Sequence, residues 1–300
     1  MPPAGSVSGM SFTIADTPDQ TGRTFVVTGA NGGLGEVVTR TLAAKGASVV
    51  MACRNTAKAQ EIADGIDGDA RVAALDLGSL ASVREFAAQQ GGFDVLVNNA
   101  GLMNIPMRRT VDGFETQFGV NHLGHFALTG LLLDRISDRV VTVSSIAHKQ
   151  TPKFWVDDLN YEHRRYQRNL AYAQSKLANL MFARDLQRRL VAAGSPLRSY
   201  AVHPGVSTTE LFDNDKTIFG LIAKYGLPLV GQPAEQGAES SLFAATVPDA
   251  DPDIYWGPNK LNQSRGPVAP CPSSKLSKDQ RLWDRLWQES EKMTGVTYPV

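Results

Sequence analysis

The chain has little cysteine, because its 300 residues contain only Cys53 and Cys271. Two thiols make neither a disulfide framework nor a four-thiolate zinc site. The chain also lacks an excess of charge of one sign, since thirty basic residues balance thirty acidic ones. This balance argues against a protein that binds nucleic acid mainly through phosphate contacts. No apolar run reaches the ~20 residues of a membrane-spanning helix, and the start of the chain does not read as a signal peptide. We therefore expect a cytoplasmic globular protein without an integral membrane segment.

Short apolar runs alternate with longer helical patterns along most of the chain. Strands of about five residues alternating with helices of ten or more are typical of βαβ units. The pattern predicts an α/β fold with a single doubly wound parallel sheet of the Rossmann type and helices on both faces. The six predicted strands are Thr24–Thr28, Ala47–Ala52, Arg71–Leu75, Phe93–Asn98, Val140–Ser144 and Leu197–His203.

Two regions lie outside this alternation. Residues 1 to 20 are predicted to form a mobile N-terminal tail, and residues 21 to 300 a single domain. Within that domain, residues 206 to 270 are predicted to form a substrate loop or lid region. Its apolar stretch Ile218–Gly231 either covers an apolar pocket or simply packs on the body. The amphipathic stretch Gln280–Glu291 is predicted to be a packing helix.

A glycine-rich turn follows the first predicted strand and leads directly into a helix. Amides at a helix N-terminus have no intrahelical partner, and the helix dipole favours an anion there. Glycines in the turn allow a pyrophosphate to approach the main chain. This context favours a dinucleotide site over a structural loop, with binding residues Gly29, Asn31, Gly33, Leu34 and Gly35.

The end of the second predicted strand indicates which dinucleotide binds. An NAD site of this design has an Asp or Glu there for the ribose hydroxyls, whereas this chain has Arg54, between Cys53 and Asn55. A guanidinium donates two charge-assisted hydrogen bonds to a phosphate, so we predict NADP(H) as the cofactor. The alternative is that Arg54 only caps a surface turn.

The ends of the third and fourth predicted strands supply further candidates. Asp76, followed by Leu77, places a carboxylate where an adenine amino group could donate to it, although an Asp there is also a common helix cap. Small residues after the fourth strand permit close approach of a ribose. We therefore add Asp76, Leu77, Asn99, Ala100 and Gly101 to the cofactor-binding residues.

Tyr172 and Lys176 are four residues apart in a predicted helix, which places both on one face. A free phenol has a pKa of about 10. A neighbouring ammonium, together with an oxidised nicotinamide, would lower that pKa and allow Tyr172 to exchange a proton with an alcohol or a carbonyl oxygen.

These motifs together resemble the short-chain dehydrogenase/reductase family, from about Thr24 to Gly205. The run Phe118–Phe126 and the surroundings of Tyr172 are similar to the branch that contains retinol dehydrogenases and protochlorophyllide reductases. The residues that carry the resemblance are Thr28-Gly29-x-x-x-Gly33-x-Gly35, Asn98-Asn99-Ala100-Gly101, Asn121, Ser145, Tyr172-x-x-x-Lys176 and Pro204-Gly205.

The resemblance implies an enzyme that interconverts an alcohol and a ketone or aldehyde by hydride transfer. Tyr172 would be the acid/base, Lys176 would lower its pKa and hold the nicotinamide ribose, and Ser145 would bind the substrate oxygen. Asn121 would hold a helix kink and a relay water. The segment contacting the nicotinamide would comprise Pro204, Gly205, Val206 and Thr208.

The sequence is also consistent with other interpretations of the function and of the histidines. The predicted substrate is a small carbonyl or alcohol compound, and a lipophilic compound is favoured. A monomer and a homo-oligomer are both consistent with the sequence. The alternative function is a sensor that binds NADP(H) without turnover. His122 and His125 are three residues apart but have no third ligand at suitable spacing, so packing is favoured over a metal site. His148 and His203 lie near the expected mouth of the site and are candidates to contact substrate.

Overall fold

The structure, a computed structural model, describes residues 12–206 and 232–300. Within these residues eight strands form one sheet in the order β3-β2-β1-β4-β5-β6-β7-β8. Neighbouring strands are parallel except for β7 and β8, which are antiparallel. The strands are β1 Thr24–Thr28, β2 Ser48–Cys53, β3 Asp69–Ala74, β4 Phe93–Asn98, β5 Ile136–Val143, β6 Arg198–Val202, β7 Tyr255–Lys260 and β8 Arg265–Pro270.

Helices cover both faces of this sheet, so the predicted doubly wound α/β fold is confirmed. One hydrophobic core lies between the sheet and α1 and α7, and another lies between the opposite face and α3, α5, α6 and α8. The helices are α1 Gly33–Ala44, α2 Thr56–Ala63, α3 Leu80–Gln89, α4 Thr116–Phe118, α5 Gly124–Leu132, α6 Arg168–Ala192, α7 Ala234–Thr246 and α8 Gln280–Thr294.

The order of the strands creates the crevice in which ligands of such sheets bind. The chain runs outward from β1 through β2 to β3, then returns to place β4 on the other side of β1. The helices that follow β1 and β4 therefore leave the sheet in opposite directions, and a gap opens at the carboxyl ends of these strands.

The described part of the predicted tail packs on the domain. The ring of Phe12 makes an edge contact with Phe243, with the centroids 5.3 Å apart, and the side chains of Thr17 and Gln20 are buried. Residues 12–20 thus differ from the prediction because an aromatic side chain anchors them to α7.

The predicted lid region also differs where it is described. Residues 234–270 contribute α7, which is buried beneath the sheet, the strand β7 and the edge strand β8. These strands contain Pro258, Pro267 and Pro270. Prolines weaken a strand pattern, but β8 is at the sheet edge and Pro258 lies beyond the residues of β7 that pair with β6. The stretch Ile218–Gly231, predicted to cover a pocket, lies outside the described residues.

The C-terminal helix α8 packs as predicted. The indole of Trp287 is buried against Phe126 and Phe182, with ring centroids 5.2 and 5.9 Å away, and Tyr298 closes the cluster at 4.6 Å. The chain therefore covers the outer face of α5 and α6 with its own last helix. None of the helices in the described ranges combines the length and apolar character needed to cross a bilayer.

Candidate active site

A groove of about 370 Å³ lies at the carboxyl ends of β1, β2 and β4. It collects eleven of the residues that the sequence predicted for cofactor binding, although they come from four separate stretches of the chain. They are Gly29, Asn31, Gly33, Leu34, Gly35, Arg54, Asp76, Leu77, Asn99, Ala100 and Gly101.

The glycine-rich turn brings the start of α1 against the end of β1. Gly29 and Gly33 have φ angles of 66° and 51°, in the left-handed region that favours glycine. At Gly35 a Cβ atom would lie 2.2 Å from the carbonyl oxygen of Gly29 and 2.6 Å from the side-chain Nδ2 of Asn99. Only glycine fits there, and the resulting cradle at a helix N-terminus fits a pyrophosphate.

The adenosine end of the groove carries two cations. Arg54 is exposed and directly follows β2, and Lys58 in the first turn of α2 lines the same groove. Sequence reasoning missed Lys58, although its position four residues after Arg54 was a usable signal. One carboxylate oxygen of Asp76 accepts a hydrogen bond from the Gly78 amide at 2.8 Å, which fixes that side chain at the groove wall.

Tyr172 and Lys176 lie on one face of α6, as their spacing predicts. The Lys176 Nζ is 5.9 Å from the centroid of the Tyr172 ring. The Lys176 side chain is 4% exposed, and its ammonium donates a hydrogen bond to the Val143 carbonyl at 3.1 Å. The ammonium is thus fixed beside the phenol by the end of β5.

The two serines after β5 have different partners. The Ser144 hydroxyl donates to the main-chain carbonyl of Lys176 at 2.7 Å and so attaches α6 to the sheet. The Ser145 hydroxyl accepts from the Ala147 amide at 3.2 Å and lies beside the Tyr172 phenol, whose pKa it lowers. The arrangement therefore distinguishes Ser145, the serine chosen from the sequence, from its neighbour.

Burial dominates the electrostatics of Tyr172 and Lys176. Removal from water raises the pKa of Tyr172, and the neighbouring Ser145 hydroxyl lowers it by a smaller amount. Burial also lowers the pKa of Lys176 to about 8. The lowering of the Tyr172 pKa expected from the sequence needs an oxidised nicotinamide as well as the ammonium, so it stays a prediction. Burial alone holds the phenol protonated.

Asn121 lies in a π-helical turn, Gly119–Leu123, between α4 and α5. The π turn interrupts the helical stretch at this residue, where the resemblance implies a kink. The Asn121 side chain accepts from the Leu102 amide at 2.7 Å and donates to the Leu102 carbonyl at 2.9 Å. It also donates to the Ser175 hydroxyl at 2.9 Å, and Ser175 precedes Lys176. Asn121 therefore joins the loop after β4 to the catalytic turn of α6.

The groove and the catalytic residues meet at Gly101. A Cβ atom on Gly101 would lie 3.4 Å from both the Asn121 Oδ1 and the Lys176 Nζ, and Gly101 itself lines the groove. A ligand that fills the groove and extends past Gly101 thus reaches the ammonium of Lys176.

Not every predicted residue lies at this groove. Pro204, Gly205 and Val206 follow β6 but do not belong to the groove wall as the described residues form it, and Thr208 lies outside those residues. Val206 is tied to the β7–β8 hairpin, since its amide donates to the Ser264 carbonyl at 2.8 Å.

The histidines predicted near the mouth of the site are completely buried. His148 lies within hydrogen-bond distance of the Ser145 carbonyl, at 2.7 Å, and accepts from the Ser274 amide at 3.2 Å. The ring of His203 packs on Tyr255, with centroids 4.9 Å apart. Both residues therefore support the site from beneath rather than lining its mouth.

Comparison with known proteins adds to this geometry. Residues 23–157 match a family model described as short chain dehydrogenase. Retinol dehydrogenase 13 of Homo sapiens is 38% identical over 303 residues, which cover 93% of this chain and 86% of that protein. A solved structure from Mycobacterium paratuberculosis, described only as an uncharacterized protein, is 46% identical with a TM-score of 0.85 and covers 97% of this chain and 100% of that one. An NAD(P) dependent gluconate 5-dehydrogenase from Beutenbergia cavernae, with NADP bound at low occupancy, is 26% identical with a TM-score of 0.58, over 76% and 91% of the two chains.

Proposed function

The chain belongs to the short-chain dehydrogenase family and is an oxidoreductase of alcohol and carbonyl groups, and we propose that it uses NADP(H) to interconvert an alcohol and a ketone or aldehyde of lipophilic character. The observation that carries the proposal is the junction at Gly101. There a groove suited to a dinucleotide opens onto Asn121 and Lys176, one helical turn from Tyr172.

The preference for NADP(H) rests on the charge at the end of β2. Members of this family bind NAD(P), and the 2′ position of the ribose distinguishes the two cofactors. Arg54 and Lys58 line the groove near the end of β2, and the residues that end the strand, Ala52 and Cys53, carry no carboxylate. A phosphate is attracted by these cations, whereas a carboxylate at that place would repel it.

The cofactor, when bound, supplies or accepts the hydride, and the chain supplies the proton. For reduction of a carbonyl, Tyr172 is already protonated, because desolvation raises the pKa of its phenol. The Ser145 hydroxyl, beside the same phenol, is positioned to bind the substrate oxygen. The protonated Lys176 stabilises the phenolate that remains after Tyr172 has donated its proton.

A lipophilic substrate is favoured by the walls of the groove near Gly101. The side chains there belong to Leu102, Met103, Ile105 and Val120, which are all apolar. An apolar wall binds hydrocarbon better than hydroxylated substrates, because it leaves their polar groups without hydrogen-bond partners. The similar protein retinol dehydrogenase 13 is named for an apolar alcohol.

The first experiment measures NADPH oxidation with a series of aldehydes and ketones of increasing chain length and with hydroxylated analogues. We expect turnover that rises with apolar chain length. Tyr172→Phe removes the proton donor, so the rate falls about 10²–10⁴-fold while the dissociation constant for NADPH stays within about twofold. Full activity in this variant contradicts the role of Tyr172, and NADPH binding without turnover in the unmodified protein supports a sensor instead.

The second experiment compares NADPH with NADH in Arg54→Ala. Loss of a charge-assisted hydrogen bond of about 1.5–3 kcal/mol raises the NADPH dissociation constant about 10- to 100-fold. NADH binding stays unchanged, because NADH has no 2′-phosphate. Arg281→Ala is the matched control, since Arg281 is exposed in α8 and does not line the groove. Equal loss of both cofactors in Arg54→Ala would show that Arg54 is structural.

A further inference from the structure

His125 lies one turn after Asn121 in α5, and only 1% of its surface is exposed. Its two ring nitrogens contact two different parts of the site. Nδ1 is 2.9 Å from the main-chain carbonyl oxygen of Asn121, and Nε2 is 2.9 Å from the hydroxyl oxygen of Thr28. The imidazole thus lies between the kinked helix that carries Asn121 and the end of β1, where the glycine-rich turn begins.

The partners of the ring determine which nitrogen carries the proton. A carbonyl oxygen only accepts, so Nδ1 carries the hydrogen that is donated to Asn121. Burial lowers the pKa of His125 to about 4, so the ring is neutral at pH 7 and Nε2 is an acceptor. The Thr28 hydroxyl has one hydrogen, and the Nε2 acceptor at 2.9 Å is closer to it than the Val97 carbonyl at 3.4 Å, so the hydroxyl donates to Nε2. The Thr28 oxygen accepts from the amides of Asn99 at 2.9 Å and Ala100 at 3.0 Å.

The hydrogen bonds continue from Asn121 to the catalytic turn. The Asn121 side chain donates to the Ser175 hydroxyl, which donates in turn to the main-chain carbonyl of Tyr172 at 2.8 Å. The groove edge at Thr28 and the turn that carries Tyr172 are therefore connected through one buried imidazole. Thr28 and His125 are 97 residues apart in the chain, so the connection is tertiary.

We propose that His125 is a positioning residue of the reaction, and that its neutral ring, protonated on Nδ1, keeps Asn121 in register with the cofactor groove. The inference rests on the proposed oxidoreductase function. The bond to Asn121 supports the catalytic turn, and the bond to Thr28 supports the groove edge. Loss of the first bond therefore lowers kcat, and loss of the second weakens NADPH binding.

Two amide variants separate these bonds. In His125→Asn the side-chain amide takes the place of Nδ1 and still donates to Asn121, but it no longer reaches Thr28. In His125→Gln the longer amide takes the place of Nε2 and accepts from Thr28, but it does not donate to Asn121. We expect His125→Gln to lower kcat about tenfold with the NADPH dissociation constant within about twofold, as suits one buried hydrogen bond. We expect His125→Asn to keep kcat within about twofold and to raise the NADPH dissociation constant about tenfold. His163→Asn, at an exposed position, changes neither kcat nor the dissociation constant.

Nuclear magnetic resonance of the unmodified protein, labelled with ¹⁵N in its histidines, tests the ring directly without any turnover. We expect the signal that is lost in His125→Asn to come from a neutral, Nδ1-protonated ring that does not titrate between about pH 6 and 8. His148, whose Nδ1 also faces a carbonyl, gives a second such signal that persists in the variant. Protonation of His125 on Nε2, or titration of His125 near the ordinary histidine pKa, overturns the proposal. Identical losses of kcat and NADPH affinity in the Asn and Gln variants also overturn it, because they indicate a packing role only.

The proposed function and the positioning role of His125 can be refuted independently. If the unmodified protein reduces no carbonyl compound with NADPH, the proposed function fails. The spectrum of the ring and the NADPH affinities of the two variants still decide whether His125 connects Asn121 to the groove.

Discussion

Replacement of Lys176 by methionine is expected to stabilise the folded protein and to abolish its activity. The Lys176 side chain is buried, and burial lowers its pKa from 10.5 to about 8. By linkage, this difference means that the folded state at pH 7 carries about 3 kcal/mol of unfavourable free energy for holding the charge. Methionine has a similar length and no charge, so it removes this term.

Lys176→Met removes few favourable interactions from the folded protein. The ammonium donates to the Val143 carbonyl at 3.1 Å, but the Asn179 side-chain amide donates to the same oxygen at 3.1 Å. The Val143 carbonyl therefore keeps a hydrogen-bond donor in Lys176→Met. We expect the free energy of unfolding at pH 7 to rise by about 2–3 kcal/mol, while NADPH-dependent carbonyl reduction is lost.

The stability difference between Lys176→Met and the unmodified protein depends on pH in a direction that the two pKa values of the lysine determine. Below about pH 8 the lysine is charged in both states, and the advantage of methionine is complete. Between about pH 8 and 10.5 the folded lysine releases its proton while the unfolded one keeps it, so the advantage disappears. Urea unfolding of both proteins without cofactor, at several pH values across this window, measures the difference.

Lys153→Met is the matched control, because Lys153 is exposed in a loop. We expect it to change the free energy of unfolding by less than about 0.5 kcal/mol at every pH. The reasoning is refuted if Lys176→Met is less stable than the unmodified protein at pH 7. A stability gain that stays constant up to pH 10.5 also refutes it, because such a gain does not come from charge.

Two further predictions concern the groove and the core. Gly35→Ala places a Cβ atom 2.2 Å from the Gly29 carbonyl oxygen, so we expect fluorescence titration to show NADPH binding weakened at least about 100-fold, and near-normal affinity would contradict the close approach at this turn. Trp287→Ala removes a buried indole that packs on Phe126, so we expect the free energy of unfolding to fall by about 3–5 kcal/mol in urea denaturation. A loss below about 1 kcal/mol would mean that α8 contributes little to the core.

Prediction from the sequence was reliable where structure is local. The strand–turn–helix around Gly29 and Gly35 was recognised because glycine spacing and helix formers lie within a dozen residues of each other. Strands β7 and β8 were missed, since their prolines break the pattern and they are ordered by tertiary pairing, β7 with β6 and β8 with β7. The kink at Asn121 was implied only by the family resemblance, because a π turn leaves the apolar pattern of a helix largely intact.

The amino-acid sequence by itself determined most of the residues that meet at the groove, because parallel strands end at one edge of a sheet and bring the turns that follow them together. It also determined that Tyr172 and Lys176 share a face, because a helix places every fourth residue on one side. Only the tertiary structure decided the state of those groups. Burial depends on every element packed around a side chain, and the rise that it causes in the Tyr172 pKa is not visible in the local sequence pattern. The contact of His125 with Thr28 likewise exists only once α5 lies against the end of β1.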